Sequence, residues 1–182
     1  MKRYLVLGAV AAALAVPVAA SAAQPPTAGS LAAQSCKAQQ AALGAATFKT
    51  TYGGGANAYG KCVSKASKTA ASQLTAANTS CKAEQAMSDA DFSAAHGGKT
   101  FNAYYGGNSQ SKGKGAGADA FGKCVSQKAQ AASNASTQST VNAAKSCRAE
   151  RAASKTTFAS TYGSGANAFG VCVSRKSKAK SA

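Results

Sequence analysis

The chain has 182 residues and carries 21 Lys and Arg against 5 Asp and Glu, a formal charge of +16. It has no Trp, and past its first residues the large aliphatic side chains reduce to Leu31, Leu43, Leu74 and a few Val and Met. A buried large side chain contributes about 1.5–3 kcal/mol and Ala far less, so one extensive core is excluded, while the charge favours anionic partners through long-range, salt-sensitive attraction.

Residues 1–22 read as a secretory signal peptide. Lys2 and Arg3 precede an apolar run from Leu5 to about Val18, and Ala20-Ser21-Ala22 supplies the small-residue cleavage pattern. The run is short for a membrane span of about 20 residues, and no later segment is apolar enough to cross a bilayer. Cleavage near Ala22 or Ala23 removes two cations and leaves a soluble chain at +14, secreted or held at the cell envelope. The leader at 23–34, with its "QPPTAGS", reads as disordered.

Three copies of one module follow. The first, at 35–68, holds "SCKAQQAALGAATFKTTYGGGANAYGKCVSK". The second, at 80–128, opens "SCKAEQAMSDADFSAAHGG" and closes "GAGADAFGKCVSQ", with a loop insertion near 97–117. The third, at 146–178, holds "SCRAERAASKTTFASTYGSGANAFGVCVSR", and a basic tail ends the chain at 179–182. In the second copy "DFSAAHGGK" and "TFNAYYGGN" are a duplicated nine-residue unit, which makes Phe101 and Tyr105 better equivalents of Phe48 and Tyr52 than Phe92 and His96 are. The linkers at 69–79 and 129–145 are rich in Ala, Ser and Thr without Pro or Gly; they read as partly helical, with disorder as the alternative.

Within a module, "CKAQQAAL" is helical by propensity. Gly44, Ser88-Asp89 and Ser154 interrupt at similar positions, and a second short helix carries Phe48/Tyr52 or Phe158/Tyr162 as an i, i+4 pair. After a Gly-rich break, Asn57, Asp119 and Asn167 stand where a helix N-cap belongs. Tyr59, Cys62, Val63 and Ala66 then lie on one helical face, as do Phe121/Cys124/Val125 and Phe169/Cys172/Val173. The core aromatics are therefore Phe48, Tyr52, Tyr59, Phe121, Phe158, Tyr162 and Phe169.

Six Cys in an exported chain imply three disulfides, and six Cys allow 15 pairings. Each module holds two, and a disulfide needs its Cα atoms within about 7 Å. A kink at Gly44 or its equivalents folds the first segment back beside the last, which pairs Cys36–Cys62, Cys81–Cys124 and Cys147–Cys172. Bridging between modules is the alternative that repeat symmetry disfavours. The expected fold class is all-α: three tandem disulfide-stapled modules of short helices.

"GANAYGKC" (Gly55 to Cys62) and "GADAFGKC" resemble a phosphate-binding P-loop, G-x-x-x-x-G-K-[ST]. The context is wrong for one. No apolar strand precedes them, Cys62 and Cys124 take the place of the magnesium ligand, and Val171 replaces Lys in the third copy. Zinc is disfavoured by the absence of C-x-x-C spacing and by a single His, His96. The acids are Glu84, Asp89, Asp91, Asp119 and Glu150; Gln39 replaces Glu in the first copy, and His96 stands where the other copies have Tyr, so it reads as a packing ring rather than a catalytic base. Rings alternating with Lys suit single-stranded nucleic acid, but their helical spacing reads first as core. Asn78 and Asn134 open glycosylation sequons of low specificity. No cofactor is expected.

Together "SCRAERAA", "TFASTYG" and "NAFGVCVS" of the third copy, with close matches in the other two, resemble uncharacterised small secreted proteins of actinobacteria. The resemblance covers the modules and not the linkers, and Gln39, His96 and Val171 depart from it. It implies an exported bacterial protein and brings no activity with it. The expected function is non-enzymatic: a secreted cationic repeat protein that binds anionic envelope polymers, extracellular nucleic acid without sequence preference, or an acidic protein. A membrane-active defence protein is the alternative, and a secreted hydrolase using His96 the least favoured reading.

Overall fold

A computed structural model describes residues 26–106 and 119–179; the segment expected to be a signal peptide, most of the expected loop insertion and the last three residues lie outside it. The described residues form seven helices and no strand: α1 (Ala28–Thr51), α2 (Ala58–Gln85), α3 (Asp89–Ala95), α4 (Phe101–Gly106), α5 (Ala120–Ala153), α6 (Lys155–Tyr162) and α7 (Ala168–Ala179). This is the all-α, disulfide-stapled fold expected from the sequence. The bridges are Cys36–Cys62, Cys81–Cys124 and Cys147–Cys172, with Cα atoms 6.0, 6.0 and 6.1 Å apart.

The breaks that allow these bridges fall at equivalent places. Gly44 adopts φ 73° and ψ 158° and kinks α1, a conformation that costs Gly little and other residues much. Ser154, which ends α5 and starts α6, and Ser88, which starts α3 just after α2 ends, do the same work. Both have extended backbone, and their hydroxyls accept from the backbone N–H of Asp91 and Thr157. Thr27, which forms a capping box with Ser30, and Thr100, whose hydroxyl takes the Ala103 N–H, cap with their side chains in the same way.

Asn57 and Asp119 hold the N-cap positions expected of them but do not cap through their side chains. Each directly precedes its helix, but neither side chain makes a capping hydrogen bond. The reason is the backbone: φ/ψ of −92°/23° and −98°/−4° lie outside the extended region from which a side-chain oxygen reaches the N2 or N3 amide. Their contribution is the main-chain carbonyl, which takes the N–H of Lys61 or Lys123; the carbonyl of Asn167 takes that of Val171 in the same way.

The linkers are helical along their whole length. Residues 69–79 run inside α2 and residues 129–145 inside α5, which spans about 51 Å at 1.5 Å per residue. They also bury side chains: Ala70, Ala77, Ala129, Val141 and Ala144 are all within the core. The leader differs from expectation too. Residues 28–34 belong to α1, and Leu31 is fully buried against Phe92, Phe101 and the Cys81–Cys124 bridge of the second module. Part of the expected loop is α4, whose Phe101 and Tyr105 are buried.

The modules consequently pack on one another. Helix α5 contacts α1, α2, α4, α6 and α7, and Leu43 of α1 lies against both the first and the third core cluster. Hydroxyl and amide contacts cross between elements: Ser35 with Thr137 at 2.7 Å, Gln73 to the Ala132 carbonyl at 3.1 Å, and Ser139 to the Ser177 carbonyl at 3.0 Å.

The module glycines Gly60, Gly122 and Gly170 are equivalent in sequence and not in environment. A Cβ on Gly170 would stand 3.0 Å from the Thr51 carbonyl oxygen, where α7 crosses the end of α1; one on Gly122 would meet nothing within 4 Å. Gly170→Ala should lower stability by about 1–3 kcal/mol through overpacking against main chain. Gly122→Ala should raise it by up to about 1 kcal/mol through helix propensity. Thermal unfolding of the two variants measures the contrast; equal shifts would remove the α1–α7 approach as its cause.

Candidate functional site

Each module is built around one polar contact inside an aromatic pair. Phe48/Tyr52, Phe101/Tyr105 and Phe158/Tyr162 have ring centroids 5.0, 5.0 and 4.9 Å apart. The i, i+4 spacing turns the tyrosine hydroxyl back toward the module's first helix. Tyr52 donates to Gln39 at 2.5 Å, Tyr105 to Glu84 at 2.8 Å and Tyr162 to Glu150 at 3.1 Å. Phe101 and Tyr105 are thus the second module's equivalents of Phe48 and Tyr52. Phe92 and His96 form an added layer: the His96 ring stacks on Phe92 at 4.0 Å and lies 4.6 Å from Tyr104.

The two carboxylates have a second partner. Glu84 pairs with Lys128 at 2.8 Å, and Glu150 pairs with Lys176. Burial raises the Glu84 carboxyl, but hydrogen bonds from Lys128 and Tyr105 outweigh it and leave it below the usual carboxylate range. The Lys176 hydrogen bond leads the lowering of Glu150, and Tyr162 adds to it. Burial pushes Tyr52 up to about 12, and Tyr105 is raised by burial and by the carboxylate it faces.

The first module keeps the geometry and drops both charges. Gln39 stands where Glu84 and Glu150 stand. Ala66 follows Cys62 by four residues, as Lys128 follows Cys124 and Lys176 follows Cys172. Carboxylate and ammonium are lost together. This paired exchange was legible in the aligned repeats and is the signal that reading each position singly misses.

The remaining expected residues are placed as follows. Phe48, Phe158 and Phe169 are buried, while Tyr52, Tyr59, Phe121 and Tyr162 are half-buried at the module edges. Tyr59 also donates to the Ala33 carbonyl at 3.2 Å. The P-loop-like segment is the turn from α1 into α2: helix precedes it, and Cys62 is oxidised in a bridge. Among the described residues no group of three His, Cys, Asp or Glu gathers to hold a metal, and no helix is long and apolar enough to cross a membrane.

Two regions gather cations without acids. On the outside, Arg148 and Arg151 of α5 and Lys155 of α6 surround an open hollow of about 340 Å³, with Thr47 and Thr50 of α1 opposite and Phe169 in its wall. The other modules have Lys37/Gln40 and Lys82/Gln85 where this one has Arg148/Arg151. Inside the fold, α1, α2, α5 and α7 enclose a cavity of about 330 Å³ lined by hydroxyls, with Lys65 and Lys178 on its wall and no Asp or Glu. Partial burial, and then the Lys178 ammonium, lower the pKa of Lys65.

Acid stability should carry the mark of the Glu84 and Glu150 contacts. Both carboxyls lie below their unfolded value, so their stabilisation is complete above about pH 4.3 and is lost as pH falls through the lower folded values. Glu84→Gln with Glu150→Gln, which copies the first module, should flatten the melting temperature against pH below about pH 4.5. A parent profile as flat as that of the double variant would reject the assignment.

No protein-family model, curated protein or solved structure matches the chain, so the reading of the site rests on its own geometry.

Proposed function

We propose that the protein is a secreted, non-catalytic binder of anionic polymers of the cell envelope. One observation carries the reading: cations far outnumber acids, and two of the five acids are already engaged by partners within their own modules. Of five acids, Glu84 and Glu150 are engaged by Tyr and Lys within their modules. Asp89 and Asp91 occupy the first turn of α3, where Asp91 takes the Ser88 hydroxyl. Apart from Lys128 and Lys176, the Lys and Arg of the described residues have no carboxylate within ion-pair distance.

Such a surface has a use for a partner rich in carboxylate or phosphate, because neutralising it from outside releases the partner's counterions. The hollow bounded by Arg148, Arg151 and Lys155 is where guanidinium forks are closest to hand for planar oxyanions. The three disulfides suit an oxidising compartment outside the cytoplasm, the setting in which envelope polymers are met, and so support this reading. Extracellular nucleic acid offers the same charge density, and an acidic protein offers less of it.

The membrane-active alternative has less support. The helices spend their apolar faces on one another, and among the described residues Met87 and Tyr104 are the exposed large hydrophobic side chains, too few for a face that enters a bilayer. The hydrolase alternative needs a free imidazole, and His96 is stacked against rings.

The disulfide-bonded protein should be retained on immobilised alginate and on duplex DNA at about 50 mM salt and released before about 1 M. Arg148→Gln with Arg151→Gln and Lys155→Gln should reduce the slope of log K against log salt on DNA by about 2–3, close to one per lost phosphate contact. Absence of retention at low salt, or retention indifferent to salt, would end this reading. Dye release from anionic vesicles at the same protein concentrations would favour the membrane-active one.

A further inference from the structure

The cavity between α1, α2, α5 and α7 has a composition that a structural void does not require. Its hydroxyls come from all four helices: Ser35, Thr69, Ser133, Thr140 and Ser174 among them. Ser133, 5% exposed, lines this space beside them. Hydroxyls that face a polar space of this kind take water or a ligand as partner.

Charge points the same way. Lys65 and Lys178 are close enough to repel, and Lys65 finds only the Ser174 hydroxyl, at 3.4 Å. In the other modules the repeat supplies its own carboxylate beside the tyrosine. Here that position is Gln39, and Gln39, Tyr52 and Ala66 form part of the cavity wall. The repeat's carboxylate is missing from the module whose wall borders two ammonium groups with no carboxylate partner among the described residues.

We propose that this cavity is a binding site for a hydroxylated anion of monosaccharide size, a sugar unit carrying one carboxylate or phosphate. The ammonium groups of Lys65 and Lys178 take the anionic group in the place that a module carboxylate would otherwise fill. The Ser and Thr hydroxyls and the Gln39 amide exchange hydrogen bonds with the sugar hydroxyls. A volume of about 330 Å³ lies at the small end of the range for ligand pockets, which suits one sugar unit and not an extended chain. Single sugars bind here on a different surface from the Arg148 hollow, so this inference and the polymer-binding reading stand or fall separately.

The test is a titration of the disulfide-bonded protein followed by amide chemical shifts, with glucuronate, glucose 6-phosphate, inorganic phosphate and glucose as probes. Glucuronate or glucose 6-phosphate should shift Ser35, Thr69, Ser133 and Ser174 saturably, glucose should not, and inorganic phosphate should bind more weakly than its sugar ester. Lys65→Gln with Lys178→Gln should weaken the sugar acid by about tenfold to a hundredfold, as loss of charge-assisted hydrogen bonds does. Gln39→Glu is the variant that protects the fold, since Glu occupies that position in the other modules; it should keep the melting temperature and abolish binding by supplying an internal carboxylate. Arg148→Gln with Arg151→Gln should leave the sugar titration unchanged while weakening polymer retention. Shifts confined to the outer surface, saturation by glucose at equal concentration, phosphate binding as tightly as its ester, or undiminished binding in Gln39→Glu would each overturn the proposal.

Discussion

The fold depends on a covalent tie between the helix that opens each module and the helix that closes it. Cys36–Cys62, Cys81–Cys124 and Cys147–Cys172 join residues 26, 43 and 25 positions apart. Closing loops of that size contributes about 3–4 kcal/mol each in the chain-entropy account. The apolar clusters beside them are small and made largely of Ala, Cys and a few aromatic rings. Alanine helices form readily but bury little area, so their packing alone leaves a module close to balance between folded and unfolded. Once the tie is made, the aromatic pair has a fixed wall to pack against, and the tyrosine hydroxyl has a fixed partner.

The tie also determines where charge goes. Bringing the first and third helices of a module together places position 39, 84 or 150 beside the position four after the second Cys. Two modules fill that junction with Glu and Lys, and the carboxylate is consumed there. A chain with few acids that engages two of them in such pairs is left with a predominantly cationic surface. Self-repulsion of that surface opposes compaction, and the disulfides let the fold tolerate it.

Much of this was legible because the sequence says everything three times. Repetition identified the bridges, the breaks at Gly44, Ser88 and Ser154, and Phe101/Tyr105 as the second module's aromatic pair. Other features needed three dimensions. Asn57 and Asp119 have the right chemistry for caps, but the turn that delivers them sets the wrong φ/ψ, and a residue type does not report its backbone. The linkers looked weak because Ser and Thr lower helix propensity; tertiary burial of Ala70, Ala129 and Val141 overrides that preference. Leu31 looked like part of a disordered leader because its partners, Phe92 and Phe101, lie more than sixty residues away.

The same override explains why the modules do not behave as beads on a string. A linker that is helical without interruption must carry the closing helix of one module rigidly into the opening helix of the next. Helix α2 does this from Cys62 to Cys81 and α5 from Cys124 to Cys147. Rigid connection sets the second and third modules at fixed places around the first, and the crossing of α1, α2, α5 and α7 follows from it. Four helices rich in Ser and Thr cannot close that crossing with apolar side chains, because at these positions they have few to offer. The space that remains is polar by composition, and it borders the first module, the one copy in which Gln39 and Ala66 replace the ion pair. Loss of a module's internal charge pair and the presence of an internal polar space therefore occur at one location. Divergence of one repeat from its sisters is the means by which a symmetric scaffold acquires a site that is not repeated.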